Sequence, residues 1–337
     1  RQLVARKHAE LGAEPAETPD LEGPLDDEIG DEVLRLVLVA CHPVLSTEAR
    51  VALTLRLVAG LSTNEIARAF LVPEPTMAQR IVRAKRTLSE AKVPFEVPRP
   101  AGLGERLASV LEVVYLVFNE GYAATSGGDW MRPELCEDAL RLARMLVAHV
   151  PDEAEVHGLL ALLELQASRA RARTGPSGEP VLLLDQDRAR WDQLLIHRGL
   201  AALERAEALA PARGFYVLQA AIAAVHARAL RAADTDWRRM VALYDELVEL
   251  TESPVVELNR AVAVGMAFGP AAGLAAVDAL AAAPALRAYH ALPGVRGDLL
   301  AKLGRNDEAR RELERAAGLT QNARERELWL ARARALV

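Results

Sequence analysis

The residues best equipped for chemistry sit in the stretch LSTNEIARAFLVPEPTMAQRIVRAKRTLSE, Leu61 to Glu90, where Gln79, Arg80, Arg83 and Arg86 follow one another at short intervals. Gln and Arg side chains can each make paired hydrogen bonds to a base edge in a major groove, Gln to adenine and Arg to guanine. To do so they must share the exposed side of a helix. Met77, Ile81, Ala84 and Leu88 recur at helical spacing as an apolar stripe, which leaves Ala78, Gln79, Arg80, Arg83, Arg86 and Thr87 on the other faces. Pro75 and Thr76 open this helix, since a first turn has no intrahelical use for the proline N–H. Just upstream, Ser62 and Glu65 have the spacing of a capping box, and Ile66, Ala67 and Phe70 form one apolar face before Leu71-Val72-Pro73 halts the pattern. Two short helices joined by a tight break read as a helix-turn-helix, whose second helix fits a major groove. A basic helix face is also what solvent contact alone produces, so spacing leaves both readings open.

Charge is distributed to suit a local contact. The 337 residues carry a net charge of −6, which argues against a whole surface that coats nucleic acid or an acidic membrane. From Thr76 to Lys92, however, five Lys or Arg face one acidic residue, whereas residues 1 to 30 hold three basic against eight acidic. With 51% hydrophobic residues the chain has ample material for a buried core. Cys41 and Cys136 lie far apart, as thiols do in a reducing cytoplasm, and no uncharged apolar run reaches membrane-spanning length. The start RQLVARKHAE has no signal-peptide core and no initiator Met, so the chain is expected to be a piece of a longer cytoplasmic protein without membrane contact.

The elements around the motif are helical throughout. Residues 1 to 30 read as the end of a basic helix followed by an acidic linker rich in Pro and Gly, and residues 31 to 92 as four helices, the motif supplying the last two. Residues 93 to 104 hold three prolines and two glycines and are expected to break the chain between domains. From Glu105 to Val337 amphipathic segments follow almost without interruption, and no alternating run points to a strand. Ala263 with Gly297, Ala275 with Ala309, and Ala282 with Ala316 lie 34 residues apart, the period of tetratricopeptide helix pairs, with Thr174 to Asp187 as a long insertion. The fold class is therefore all-α: a small four-helix helix-turn-helix domain followed by an α-solenoid-like array, whose concave surface suits peptides or protein segments.

ARVALTLRLVAGLSTNEIARAFLVPEPTMAQRIVRAKRTL, Ala49 to Leu88, resembles region 4 of bacterial RNA polymerase sigma factors of the extracytoplasmic-function class. FNEGY (Phe118 to Tyr122), LLDQDRARWD (Leu183 to Asp192) and SPVVELNRAVAV (Ser253 to Val264) resemble the subgroup with a C-terminal tetratricopeptide-like extension. The resemblance implies that the second helix enters the promoter −35 element, with Ala78, Gln79 and Arg83 facing bases and Thr76, Arg80, Lys85 and Arg86 near phosphates. It also implies a contact with the β-subunit flap of core RNA polymerase. Leu71 and Pro75 depart from the commoner pattern, which often has glycine in the turn and at the helix start. Region 2, the −10-binding part, is expected to be missing apart from a terminal helix in residues 1 to 10, so the chain should not initiate transcription alone. The extension is expected to regulate or stabilise the factor by contacting region 2 or polymerase.

Within the extension, three groups of residues are candidates for a partner contact. Asn119, Glu120 and Tyr122 read first as a helix C-terminus turned by Gly121. Asp187, Arg188 and Trp191 read first as a capping turn with an interdomain ion pair, and Asn259 and Arg260 as possible concave-face residues. Cys41-His42 has no second ligand pair nearby, so no metal site is expected, nor any cofactor. No phosphate-cradling glycine loop or nucleophile-and-base arrangement points to an enzyme. The competing class is a cytoplasmic repeat scaffold that senses a peptide, its small domain making protein contacts only.

Overall fold

Serine side chains cap two helices of the first unit, whereas the second helix of the helix-turn-helix starts from Pro73 with no side-chain cap. The structure, a computed structural model, describes residue 32 and residues 35–70, 72–95, 100–124 and 126–336. The readings placed on residues 1 to 30 and on Val33, Leu34 and Leu71 lie outside these. Helix α1 covers residues 35–40, with Val37 and Leu38 fully buried. Ser46 caps α2 (Thr47–Leu57) by accepting from the Ala49 amide at 3.3 Å, and Gly60, at φ +77°, turns the chain out of it. Helices α3 (Thr63–Ala69) and α4 (Glu74–Glu90) complete the four-helix unit.

The next helix, α5 (Pro100–Tyr122), extends further at both ends than the composition suggests. Pro100 stands at its start, where proline is tolerated, so the helix begins inside the segment expected to break the chain. At the far end the backbone stays helical through Gly121 and Tyr122. Gly121 is therefore no turn residue. A Cβ there would come within 2.7 Å of the Cys136 amide nitrogen and 2.9 Å of the Arg132 carbonyl, so its role is to let α5 meet α6 (Pro133–His149) closely.

The four-helix unit is docked on the extension through α2 and α5. Arg50 of α2 donates to Thr47 Oγ1 at 2.8 Å, pairs with Glu112 of α5 at 3.0 Å and bonds Ser109, whose hydroxyl donates to the Cys41 carbonyl at 2.6 Å. Val37, Leu38, Val51 and Leu55 share one apolar core with Val110, Val114 and Phe118. Burial of such aliphatic side chains contributes about 1.5–3 kcal/mol each, more than an ion pair at the rim.

Beyond α6 the chain forms an array of packed helices: α7 (Ala154–Ala167), α8 (Gln193–Leu209), α9 (Phe215–Arg228), α10 (Trp237–Thr251), α11 (Pro254–Phe268), α12 (Pro270–Ala279), α13 (Ala291–Lys302), α14 (Asn306–Leu319) and α15 (Ala323–Arg334). Asp192 starts α8 by accepting from the amides of Leu194 and Leu195, and Arg188 to Trp191 form a separate tight turn ahead of it. Small residues let neighbours approach. A Cβ on Gly273 would lie 2.6 Å from Gly265 Cα, and one on Gly297 3.1 Å from the Ala309 carbonyl. These contact points lie 32 residues apart on the first helix of each pair and 36 on the second. The uniform offset of 34 therefore does not describe the packing, and Ala275 and Ala282 are exposed.

The array curls far enough for its two ends to meet. Two short strands that no alternation announced, β1 (Ser126–Gly127) and β2 (Gln321–Asn322), pair in parallel. Asn322, 1% exposed, donates to the carbonyls of Ala124 and Asp129 at 2.9 Å each while capping α15. The insertion Thr174 to Asp187 folds back as a tight loop, and its Leu182 to Asp185 border a cleft of about 440 Å³ with α11, α13 and α15.

Candidate nucleic-acid interface

The capping box expected at the start of α3 is present in both directions. The Ser62 amide donates to Glu65 Oε2 at 2.7 Å, and the Glu65 amide donates to Ser62 Oγ at 3.2 Å. Asn64 of α3 donates to Glu74 Oε2 at 3.0 Å, tying the two helices of the motif across their turn. Arg56 holds the Leu61 carbonyl at 2.9 Å, which fixes the entry to α3. Helix α4 buries Met77, Ile81, Ala84 and Leu88, the four residues of the expected stripe. Its orientation about its own axis is therefore set by burial. Gln79, Arg83, Lys85 and Arg86 are exposed, as is Thr76 in the first turn, while Ala78, Arg80 and Thr87 are half-buried.

Two clefts flank this helix. The first, about 340 Å³, lies between α4 and the turn before α2, and its walls include Leu45, Ser46, Thr76, Gln79, Arg83 and Thr87. The second, about 400 Å³ and mainly apolar, lies where the start of α4 faces the end of α5, with Val51, Phe70 and Met77 on one side and Leu116 and Asn119 on the other. Arg80 borders both. Arg86 pairs with Glu90 at 2.6 Å, and both side chains are largely in solvent, where such a pair is worth only about 0.3–0.5 kcal/mol. The pair leaves Arg86 free to exchange Glu90 for a phosphate at small cost. Arg83 has no ion-pair partner among the described residues.

Residues 35–88 match the family described as Sigma-70, region 4, and residues 106–207 match a family described as being of unknown function (DUF6596). An uncharacterized protein of Rhizobium meliloti (strain 1021) is 46% identical over 332 residues, covering 96% of this chain and 78% of that protein. The chain belongs to that protein's family. Its first domain is a sigma-70 region 4 helix-turn-helix, followed by the helical array.

The other candidate residues fall in different places. Asn119, Glu120 and Tyr122 all line the cleft against region 4, and Glu120 is also buried and paired with Arg132 at the α5–α6 contact. Tyr122 is half-buried beneath the Arg173 guanidinium. Asp187 accepts from the Ala189 amide at 3.0 Å, as a capping residue does. Arg188 makes no ion pair among the described residues; it is buried and donates to the carbonyls of His226 and Ala229 and to Thr235 Oγ1. Trp191, 3% exposed, packs inside with Ala172 and Ile196. The interior thus occupies Arg188 and Trp191 with structural contacts, because the turn that carries them is folded under α9. Asn259 is exposed on the side of α11 that also carries Val262 and Met266 at the 440 Å³ cleft. Arg260 faces α10, paired with Asp245 at 2.5 Å. Three groups escaped the sequence reading: Arg50 with Ser109, Asn322, and the arginines Arg169 and Arg173. Each acts on a residue far away in the chain, so no local spacing marks it.

Both cysteines are free and buried, and burial pushes each thiol up to about 12. Neither is suited to act as a thiolate near neutral pH. Among the described residues no cluster of three or more His, Cys, Asp or Glu is placed to hold a metal, and no helix is long and apolar enough to cross a membrane.

Proposed function

We propose that this chain is the promoter-reading portion of a cytoplasmic sigma factor of the extracytoplasmic-function class. Residues 31 to 92 act as region 4, which binds the −35 element and the β flap of core RNA polymerase. Ala78, Gln79 and Arg83 face base edges, and Thr76, Arg80, Lys85 and Arg86 lie along the phosphates. Residues 105 to 337 form a tetratricopeptide-like extension that regulates or stabilises the factor through contacts with region 2 or polymerase.

The observation that carries this reading is the exposed face of α4: its apolar stripe is buried on a region 4 fold, and its outer side presents Gln79, Arg83, Lys85 and Arg86. A helix of this width fits the major groove, and its amide and guanidinium groups supply the donors that base edges accept. Fluorescence anisotropy with a −35 duplex over a range of salt concentrations tests the proposal. Three phosphate contacts, from Arg80, Lys85 and Arg86, give a slope of log K against log salt of about −3. An affinity without salt dependence, or no binding at low salt, would refute the DNA contact and favour the scaffold reading. Normal transcription by a full-length factor lacking residues 105 to 337 would refute the role of the extension.

A further inference from the structure

Away from region 4, three arginines direct their guanidinium groups at a shared set of aromatic rings. Arg173 Cζ lies 3.5 Å from the centre of the Tyr122 ring and 5.3 Å from that of Trp130. Arg169 Cζ lies 5.8 Å from Tyr122 and 5.7 Å from Trp191, and Arg188 Cζ lies 4.9 Å from Trp191. The shared rings bring Arg173 close to Arg169, and Arg169 close to Arg188.

Among the described residues none of the three is paired with a carboxylate. Arg188 is held through its terminal nitrogens by three oxygen acceptors, at 2.7, 2.6 and 3.1 Å, and its Nε has no partner among the described residues. Arg173 donates to the Tyr122 carbonyl at 2.9 Å and Arg169 to Gln166, which leaves both groups with spare donors. Arg173 Nε, Tyr122 Oη and Trp130 Nε1 are buried and have no hydrogen-bond partner among the described residues. Ring faces attract a cation but carry no compensating charge. Like charges gathered around partly buried rings cost free energy unless a counter-charge is present. The strain registers on neighbours. Burial, together with the charge of Arg169, holds Arg173 and Arg188 below the ordinary arginine range, and burial with Arg169 and Arg188 drives His226 down to about 3.

We propose that Arg169 and Arg173, flanked by Tyr122 and Trp130, form a binding site for the oxyanion group of a small molecule, a phosphate or a carboxylate. A planar guanidinium meets either group with two parallel hydrogen bonds, and Arg173 is held in place by its stacking on Tyr122. Arg169, half-buried, keeps an approach from solvent, and Arg188 supports the site by holding the adjoining turn to the end of α9. The site closes over the last residue of α5, three positions beyond Asn119 in the cleft against region 4. It is independent of the DNA-binding proposal, which uses none of these residues.

Isothermal titration of the full chain with inorganic phosphate, and in parallel with citrate, at an ionic strength held constant with NaCl, tests the site and tells the two anion sources apart. Saturable binding of at least one anion is expected. In Arg169→Gln that affinity should fall at least tenfold with the circular dichroism spectrum unchanged. The exposed Arg171→Gln and the region 4 variant Arg83→Ala should bind as the parent does. Arg169→Lys, which retains the charge but loses the paired donors, should show an intermediate, several-fold loss even if Arg169→Gln does not fold. Absence of saturable binding by both anions would overturn the proposal. So would binding that survives Arg169→Gln or disappears in Arg83→Ala.

Discussion

Two glycines of the same helix should respond to the same substitution with opposite signs. Replacing a glycine in a helix interior by alanine ordinarily gains up to about 1 kcal/mol, because alanine has less backbone freedom to lose. At Gly104, in the first part of α5, an added methyl meets nothing within 4 Å among the described residues. Gly104→Ala should therefore stabilise the chain by up to ~1 kcal/mol. At Gly121 the methyl would stand 2.7 Å from the Cys136 amide nitrogen, 2.9 Å from its sulfur and 2.9 Å from the Arg132 carbonyl oxygen. Two of those atoms are backbone and cannot rotate aside, so α5 and α6 must move apart. Overpacking of this kind costs about 1–3 kcal/mol. The movement also disturbs the Arg132 amide, which donates to the Gly121 carbonyl at 2.7 Å, and the buried Arg132–Glu120 pair. The clash outweighs the propensity gain, so Gly121→Ala should be destabilising by about 1–2 kcal/mol net. Adding Cys136→Ala removes only the sulfur from the contact and should not restore stability. Urea unfolding followed by far-ultraviolet circular dichroism measures the difference from the midpoint at a common slope. Equal stabilisation by both substitutions would refute the close approach of α5 and α6 at Gly121.

Other expectations follow from the site and its supports. Arg83→Ala should lower affinity for the preferred −35 duplex by ~1–3 kcal/mol and relax discrimination at one base pair, whereas Arg86→Ala should weaken all duplexes alike and make the salt slope shallower by about one; competition anisotropy with variant duplexes separates the two. Ser62→Ala removes one half of the capping box and should cost about 1 kcal/mol, read from the same urea curves. His226, held neutral by burial and by Arg169 and Arg188, has a folded pKa of about 3, below that of the unfolded chain. The unfolded state then binds the proton more readily, so the contribution of this histidine is fully present above the unfolded pKa of about 6.5 and is lost on acidification from there toward the folded value. The stability gap between the parent chain and His226→Gln should shrink by up to ~1.4 kcal/mol per pH unit below that point, and a gap independent of pH between 7.5 and 5 would contradict the assignment.

Much of region 4 was legible in the residues. Ser62 and Glu65 close their box, and Met77, Ile81, Ala84 and Leu88 go inside, because caps and stripes depend on residues three or four apart. The same locality exposed Gln79 and Arg83. It misled where a local signal had a distant cause. Gly121 reads as a stop signal, yet it is a contact point for another helix, and Pro100 reads as a breaker, yet it begins one. Arg188 and Trp191 have the side chains of a recognition surface, but their turn is folded beneath α9.

The sequence by itself determined that the chain is helical, where the helix-turn-helix lies and which side of α4 faces outward, since each follows from hydrogen bonds and burial within a few residues. Only the tertiary structure decided that region 4 rests on α5, that Asn322 ties the end of the array to its beginning, and that Arg169 and Arg173 both lie within 6 Å of the Tyr122 ring. These contacts join residues tens to hundreds of positions apart. Their partners are chosen by how whole helices pack, a property that no neighbouring residues encode.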